Sequence, residues 1–572
     1  MDAAQKRDFT VTAVLFSVAI ISIRSQVSSV TVGAILGLVF VSLWTGRTAI
    51  LAVLAATLVF LYPGSQAGWI YRRGSHVGVH VTQQILVSGW PLPALDIARG
   101  FPETPLVHFH AIAVHLVTGL RVKPSTQPHI LATWLLPLWY VSVTLLACGI
   151  TVRQYKQTHA LSTALPRVSY LLIPVVLWIP LYNTKTGFTR QSMGIALFAI
   201  AVYVLFRLYK RASYRFVGLS LFLLFSLISA HHLTSFILNV LVAVVVAGVI
   251  LQRRSRVDLP GRQLTGSTVL VLYLTTVLLF LAWQFVFTEG GSLFTRLLAT
   301  VVISGGKLGK IVTFILGESV QQQSALPLIK RGLFIRFQSF FGLWIYQGLL
   351  AFGCLALAVV LYRRRILTDD WASISVLSGV IIGTGAALSW VTGIGGINRI
   401  MTFFVLVSGW LAPAGVSLVA KRMGESSVTP TRIFVFVMAV LGLCLVPPYV
   451  VGFGEPRYEQ GETDQRFPAQ YFASGEFVAN HVTESTGVIG DENAEHVLIS
   501  TAGRQAGNSP YPIVNGTVPP NSVLLLFDYN DQLFFGSHFS TGRYAISMDE
   551  MVRPIQTNQS QVYTNGRVDI NR

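Results

Sequence analysis

Residues 207–256 read RLYKRASYRFVGLSLFLLFSLISAHHLTSFILNVLVAVVVAGVILQRRSR. Basic clusters close both ends, Arg207/Lys210/Arg211/Arg215 on one side and Arg253/Arg254/Arg256 with Arg262 on the other. Two apolar runs lie between them, and His231-His232-Leu-Thr234 marks the midpoint. A nearly uncharged run of this length, wound as a helix, matches the roughly 30 Å hydrocarbon layer of a bilayer. Lys and Arg flank such runs on the cytoplasmic side, because moving them across is unfavourable. The stretch therefore predicts a helical pair that leaves the cytoplasm, turns at the two histidines and returns.

The same alternation extends in both directions. Arg153/Lys156 precedes the stretch, Arg363/Arg364/Arg365 and Lys421/Arg422/Arg432 follow it, and two apolar runs separate each neighbouring pair of clusters. Spans near 9–24, 30–45 and 48–62 then put the N-terminus in the cytoplasm and residues 63–128 outside. The first run lacks a small-residue cleavage pattern and is followed at once by a second, so it reads as a retained span. Val107 to Leu120 is short and interrupted by His108, His110 and His115, and as a full span it would break the alternation; it reads as a half-buried helix of the outer loop. The expectation is a mostly α protein: a polytopic transmembrane helical bundle of about 13 spans over residues 1–453, with outer loops at 63–128 and 288–341.

Composition agrees. The 572 residues are 52% hydrophobic and 12% charged, with a mean hydropathy of +0.61, where a soluble domain carries about 25% charged residues. The net charge of +18 is unevenly placed: residues 1–453 hold 35 Lys and Arg against 10 Asp and Glu, and residues 454–572 hold 7 against 14. The excess thus belongs to the membrane segment, and no nucleic-acid partner is expected. Cys148, Cys354 and Cys444 all fall inside apolar runs, with no disulfide framework or zinc motif.

Residues 454–572 read as a small α/β domain on the extracytoplasmic side. A helix is expected near Ser474 to Val482, strands at Val488 to Gly490 and Val523 to Phe527, and a last hairpin turning at Asn565-Gly566. Asn515-Gly-Thr517 and Asn558-Gln-Ser560 fit the N-glycosylation pattern.

Soluble-enzyme motifs such as a phosphate loop, a nucleophile elbow or a metalloprotease helix are missing from the sequence. Ionisable residues gather instead in the outer loops and at the outer ends of the spans. The loop from Pro63 to Pro124 carries five of the twelve histidines, His76, His80, His108, His110 and His115. His76 and His80 share one helical face with Gln83 and Gln84, while Val77, Val81 and Ile85 form another, which predicts an amphipathic helix lying at the interface. Two histidines four apart can share a metal ion, but no third ligand is evident, so contact with substrate is the favoured functional reading. In the loop Thr288 to Phe341, Lys307 and Lys310 lie among glycines, with Lys330 and Arg331 beyond, and Arg399 sits at the outer mouth of the next-to-last span. These cations, together with Arg190 and His231/His232 in the outer turns, suit an anionic group at the membrane surface.

Four places resemble the GT-C superfamily of polytopic glycosyltransferases, especially archaeal members with a small outer C-terminal domain. The first loop reads Gly74-Ser-His76-Val-Gly-Val-His80, Ile85-Leu-Val-Ser-Gly89-Trp-Pro91, Pro105-Leu-Val-His108 and Thr118-Gly119; the outer turns read Phe188-Thr-Arg-Gln191-Ser192 and His231-His232-Leu-Thr234; the end reads Val562-Tyr563-Thr-Asn565-Gly566-Arg-Val. The resemblance implies transfer of a sugar from a polyprenyl-phosphate-linked donor to a glycan or lipid-linked acceptor on the outer face of the cell membrane. Membrane lipids, the lipid-linked sugar and the acceptor would be the partners. Family members place an acidic base or metal ligand in the first outer loop, where this chain has His76. The base is then one of Asp96, Glu103 and His76, or the chain is a catalytically inactive relative. Arg399, Lys307, Lys310, Lys330 and Arg331 would hold the lipid phosphate, and His80, His108, His231, His232 and Arg190 would contact substrate. No metal site is assigned; a divalent cation, magnesium or manganese, is the one cofactor left open. A glycan polymerase, a flippase for lipid-linked glycans and a non-catalytic scaffold share this topology, and glycan profiles of a deletion strain separate them: one missing sugar, uniformly short chains or trapped inner-leaflet lipid.

Overall fold

The computed structural model describes residues 73–89, 104–120, 189–210, 213–254, 266–286, 343–363, 371–392, 397–424, 428–444, 469–507, 519–528, 530, 533–538, 542–547, 561–565 and 568–571. It adds isolated positions between 10 and 37 and between 122 and 151. The expected spans at 9–24, 30–45 and 48–62, the cation loop 288–341 and both glycosylation tripeptides lie outside this set or nearly so.

Two helices, α1 (Arg73–Ser88) and α2 (Leu106–Thr118), precede a bundle. The bundle comprises α3 (Arg190–Lys210), α4 (Tyr214–Ala230), α5 (His232–Arg254), α6 (Gly266–Val286), α7 (Leu343–Arg363), α8 (Trp371–Thr392), α9 (Ile397–Val407), α10 (Ala412–Arg422) and α11 (Val428–Cys444). Among the described residues, Arg190–Tyr209 alone is long and apolar enough to cross a bilayer, and the pair Ile400–Val407 and Ala412–Arg422, bent by 56° around the short 3-10 turn Gly409–Leu411, makes a second candidate. Seven further apolar helices are 10–17 residues long.

α3 is the bundle's axis. Phe198 meets the ring of Phe403 on α9 edge-on at 5.0 Å, and Phe206 and Tyr209 flank the wholly buried Trp371 of α8 at 5.5 and 5.9 Å. α7 and α10 cross still more closely. A Cβ on Gly415 would stand 1.9 Å from the Gly353 carbonyl oxygen, so the two backbones touch, as small residues permit where helices must pack without a hydrophobic drive from water.

The C-terminal residues form α12 (Ala469–His481), β1 (Gly487–Gly490), α13 (Glu492–Ala502), β2 (Ser522–Phe527), β3 (Leu533–His538), β4 (Gly542–Ser547), β5 (Gln561–Thr564) and β6 (Val568–Asn571). One sheet runs β1-β2-β6-β5, with β1 and β2 parallel and the other pairs antiparallel; β3 and β4 make a separate hairpin. α13 carries both of its own boundary signals. The Asp491 carboxylate accepts from the backbone N–H groups of Asn493 and Ala494 at 3.0 and 2.9 Å, and Gly503 closes the helix at φ 64. Ala494, Val497 and Leu498 pack with Tyr471, Phe472, Val523, Leu525 and Ile570 into the core of this module.

Two details differ from the sequence reading. The His-bearing segment does not lie on a surface: α1 is packed on α2 from one side and on α13 from the other, and Val77, Val79, His80, Val81 and Thr82 are all buried. Its two stripes are therefore both interior, because each has a protein partner. The turn at the paired histidines is also tighter than expected. His231 alone, in extended conformation, separates α4 from α5, and His232 already begins α5.

Candidate functional site

Three helices begin at one mouth of the bundle. Thr189 accepts from the backbone N–H of Ser192 at 3.2 Å and so caps α3, whose first residue is Arg190. The Arg190 guanidinium reaches across and donates from Nη1 to the hydroxyl of Thr104, 3.4 Å away and just before the start of α2. α5 begins beside them: a Cβ on Gly194 of α3 would lie 2.8 Å from Thr234 Oγ1 and 2.9 Å from His231 Cβ. The His231 Nδ1 and Thr234 Oγ1 are themselves 2.7 Å apart.

The electrostatics of this mouth follow from backbone geometry. A helix N-terminus carries the positive end of the macrodipole and is normally balanced by acidic residues in the first turn. α2, α3 and α5 have none there. Arg190, a cation at the position where an anion is favoured, adds to the positive potential. Such a place attracts phosphate or carboxylate groups, which bind helix N-termini and charged guanidinium forks together.

His108, in the first turn of α2, is completely buried, and its Nδ1 is 2.8 Å from Thr82 Oγ1 on α1. Thr82 gives its only hydroxyl hydrogen to the Gly78 carbonyl at 2.7 Å. Toward the histidine it can only accept, so Nδ1–H of His108 donates and Nε2 holds the ring's lone pair in the neutral form. His115 Nδ1 donates to the Leu120 carbonyl at 2.6 Å, past Gly119, whose φ of 70 ends α2. His110 is 3.2 Å from the Tyr140 hydroxyl, and burial holds its pKa below the usual histidine value. Burial also lowers the pKa of His80, whose ring faces Gly503 of the C-terminal module.

Of the residues expected to contact substrate, Arg190 and His231 stand at the mouth, His232 opens α5 beside it, His108 anchors the adjoining end of α2, and His80 points into the seam with α13. His76 lies on α1 and Arg399 in the first turn of α9, a helix packed beside α3, but their side chains are outside the described set. Asp96, Glu103, Lys307, Lys310, Lys330 and Arg331 are outside it entirely. Among the described residues no three His, Cys, Asp or Glu side chains come together as a metal set. Thr82, Thr104 and Gly503 were not singled out from the sequence; the one local signal is that Thr104 immediately precedes the Pro105 that starts α2.

No family model matches the chain, and no curated protein matches it. Among solved structures it is similar to ArnT from Cupriavidus metallidurans bound to undecaprenyl phosphate, at 11% identity over 89% of this chain and 99% of that one. The TM-score is 0.42, too slight a likeness to carry an argument about fold or chemistry.

Proposed function

We propose that this chain is a membrane glycosyltransferase of GT-C type, transferring a sugar from a polyprenyl-phosphate-linked donor to a glycan or lipid-linked acceptor on the outer membrane face. The observation that carries the reading is Arg190: a cation set at the N-terminus of α3, bonded to Thr104 at the start of α2, with α5 starting alongside and no acidic residue in any of the three first turns. The membrane setting is supported by the bundle's exterior, where Phe222, Leu278 and Phe285 are each about two-thirds exposed, more apolar surface than a water-soluble monomer presents.

In this reading the mouth receives the donor's phosphate. As the acceptor hydroxyl attacks the anomeric carbon, a new C–O bond forms and the sugar–phosphate C–O bond breaks, with inversion. Negative charge grows on the departing lipid phosphate, and Arg190 with the three helix N-termini stabilises it where it grows. Arg399, one helix away, and the loop cations Lys307, Lys310, Lys330 and Arg331 are the further candidates for holding it. The acceptor's proton goes to Asp96, Glu103 or His76.

Arg190→Ala tests the reading. Sugar transfer from a polyprenyl-phosphate sugar in isolated membranes should fall about 100-fold or more, the scale of losing one preorganised charge donor, with Arg190→Lys recovering only part because it lacks the planar fork. Transfer at the wild-type rate in Arg190→Ala would remove the mouth from the chemistry.

A further inference from the structure

The two faces of α1 have different partners. Thr82 and Val79 turn toward α2 and the bundle, where Val79 packs with Val107, Ala111, Met193 and Ala230. His80, between them in sequence, points the other way. There it meets the end of α13, and a Cβ placed on Gly503 would lie 2.6 Å from Cε1 and 3.2 Å from Nε2 of its ring. Gly503 also has φ 64, in the left-handed region that glycine adopts without penalty. A side chain at 503 is thus disfavoured twice, once by the backbone and once by the imidazole.

The rest of α13 agrees with a docked face. His496, Ile499 and Ser500 repeat at helical spacing in line with Gly503, and all three are buried. Ile499 is wholly buried yet lies outside the apolar core built by Ala494, Val497 and Leu498. This stripe is therefore turned away from the module's own interior, toward α1.

We propose that Gly503 is a positioning residue: it forms the socket for the His80 ring, and through that contact the C-terminal module fixes α1, whose opposite face holds His108 by way of Thr82. His80 is then the module's anchor on the outer loop and not a substrate contact. The consequence for ligand binding rests on the proposed function above, whereas the socket itself does not.

The test uses the full chain in lipid nanodiscs, comparing Gly503→Ala, Gly503→Asn, His80→Ala and the doubles that combine His80→Ala with each Gly503 variant. Asn tolerates a left-handed φ, so it isolates the contact from the backbone strain. The first readout is tryptic cleavage after Arg504, which in the docked state is half-buried and donates to the carbonyls of Val482 and Thr486. The second is binding of a C55 polyprenyl monophosphate. Both Gly503 variants should speed cleavage and weaken binding by about tenfold, and adding His80→Ala should bring each back to within about threefold of His80→Ala alone, as expected for a direct steric coupling. Doubles no better than the single Gly503 variants, or single variants indistinguishable from wild type, would overturn the socket. Rescue of cleavage in a protein that binds no polyprenyl phosphate would uphold the socket and remove the proposed function.

Discussion

The helical bundle and the C-terminal module treat their apolar side chains in opposite ways. In the module, Val, Leu, Ile and Phe residues of β1, β2, β6 and α13 are buried, and among its described residues Val562 is the one large apolar side chain left exposed. In the bundle, large apolar side chains fill the interior and also cover the outside, as with Phe222, Phe225, Leu274, Phe352 and Leu355. Where both sides of a helix are apolar, burial in water cannot be what selects the inner face, and close backbone approach takes over, as at Gly353 and Gly415. The difference points to two solvents. The module is built for water, the bundle for hydrocarbon, and α1 and α2 join them.

Two substitutions sharpen that contrast. Phe222→Asp, at mid-length on the outer side of α4, should be the more damaging: a carboxylate near the centre of a membrane helix costs about 2.5–3.5 kcal/mol, so the variant should accumulate poorly in membranes. On a water-facing helix the same change would be nearly neutral, and wild-type amounts of well-folded Phe222→Asp would place this face in water. Asp491→Ala should have the smaller effect. It removes the cap of α13 and the carboxylate to which the Asn530 side chain donates at 3.3 Å, and should lower the stability of the module by about 1–2 kcal/mol. Thermal unfolding followed by a probe in the module would show it, and an unchanged midpoint would mean that the cap contributes nothing.

How far the sequence could be read follows from the same physics. Strands at 488–490 and 523–527 are evident because short runs rich in Val, Leu and Ile have few alternatives, and the structure places β1 and β2 there. The helix expected near Ser474 starts at Ala469 instead, since helix ends are weakly marked where no capping side chain stands. α13 was missed although Asp491, the apolar positions 494, 497 and 498, and Gly503 spell out its cap, face and stop. The α1 stripes were found, but their burial could not be, because it depends on α13, more than 400 residues away. For the same reason neither the Arg190–Thr104 bond nor the His80–Gly503 contact leaves a local trace: each joins residues that only the packing of distant helices brings together. Arg190 itself was legible as an outer cation because charge is rare beside apolar runs.

The central claim is that the polar mouth and the C-terminal module share the outer side of the membrane, opposite the basic end of α10. With Cys148, Cys354 and Cys444 replaced by Ala, single cysteines at two exposed positions, Ser485→Cys in the module and Lys421→Cys at the end of α10, can be probed on intact cells with a membrane-impermeant maleimide. Labelling at 485 before lysis, and at 421 only after it, is the predicted result; labelling of 421 on intact cells, or protection of 485, would contradict the account.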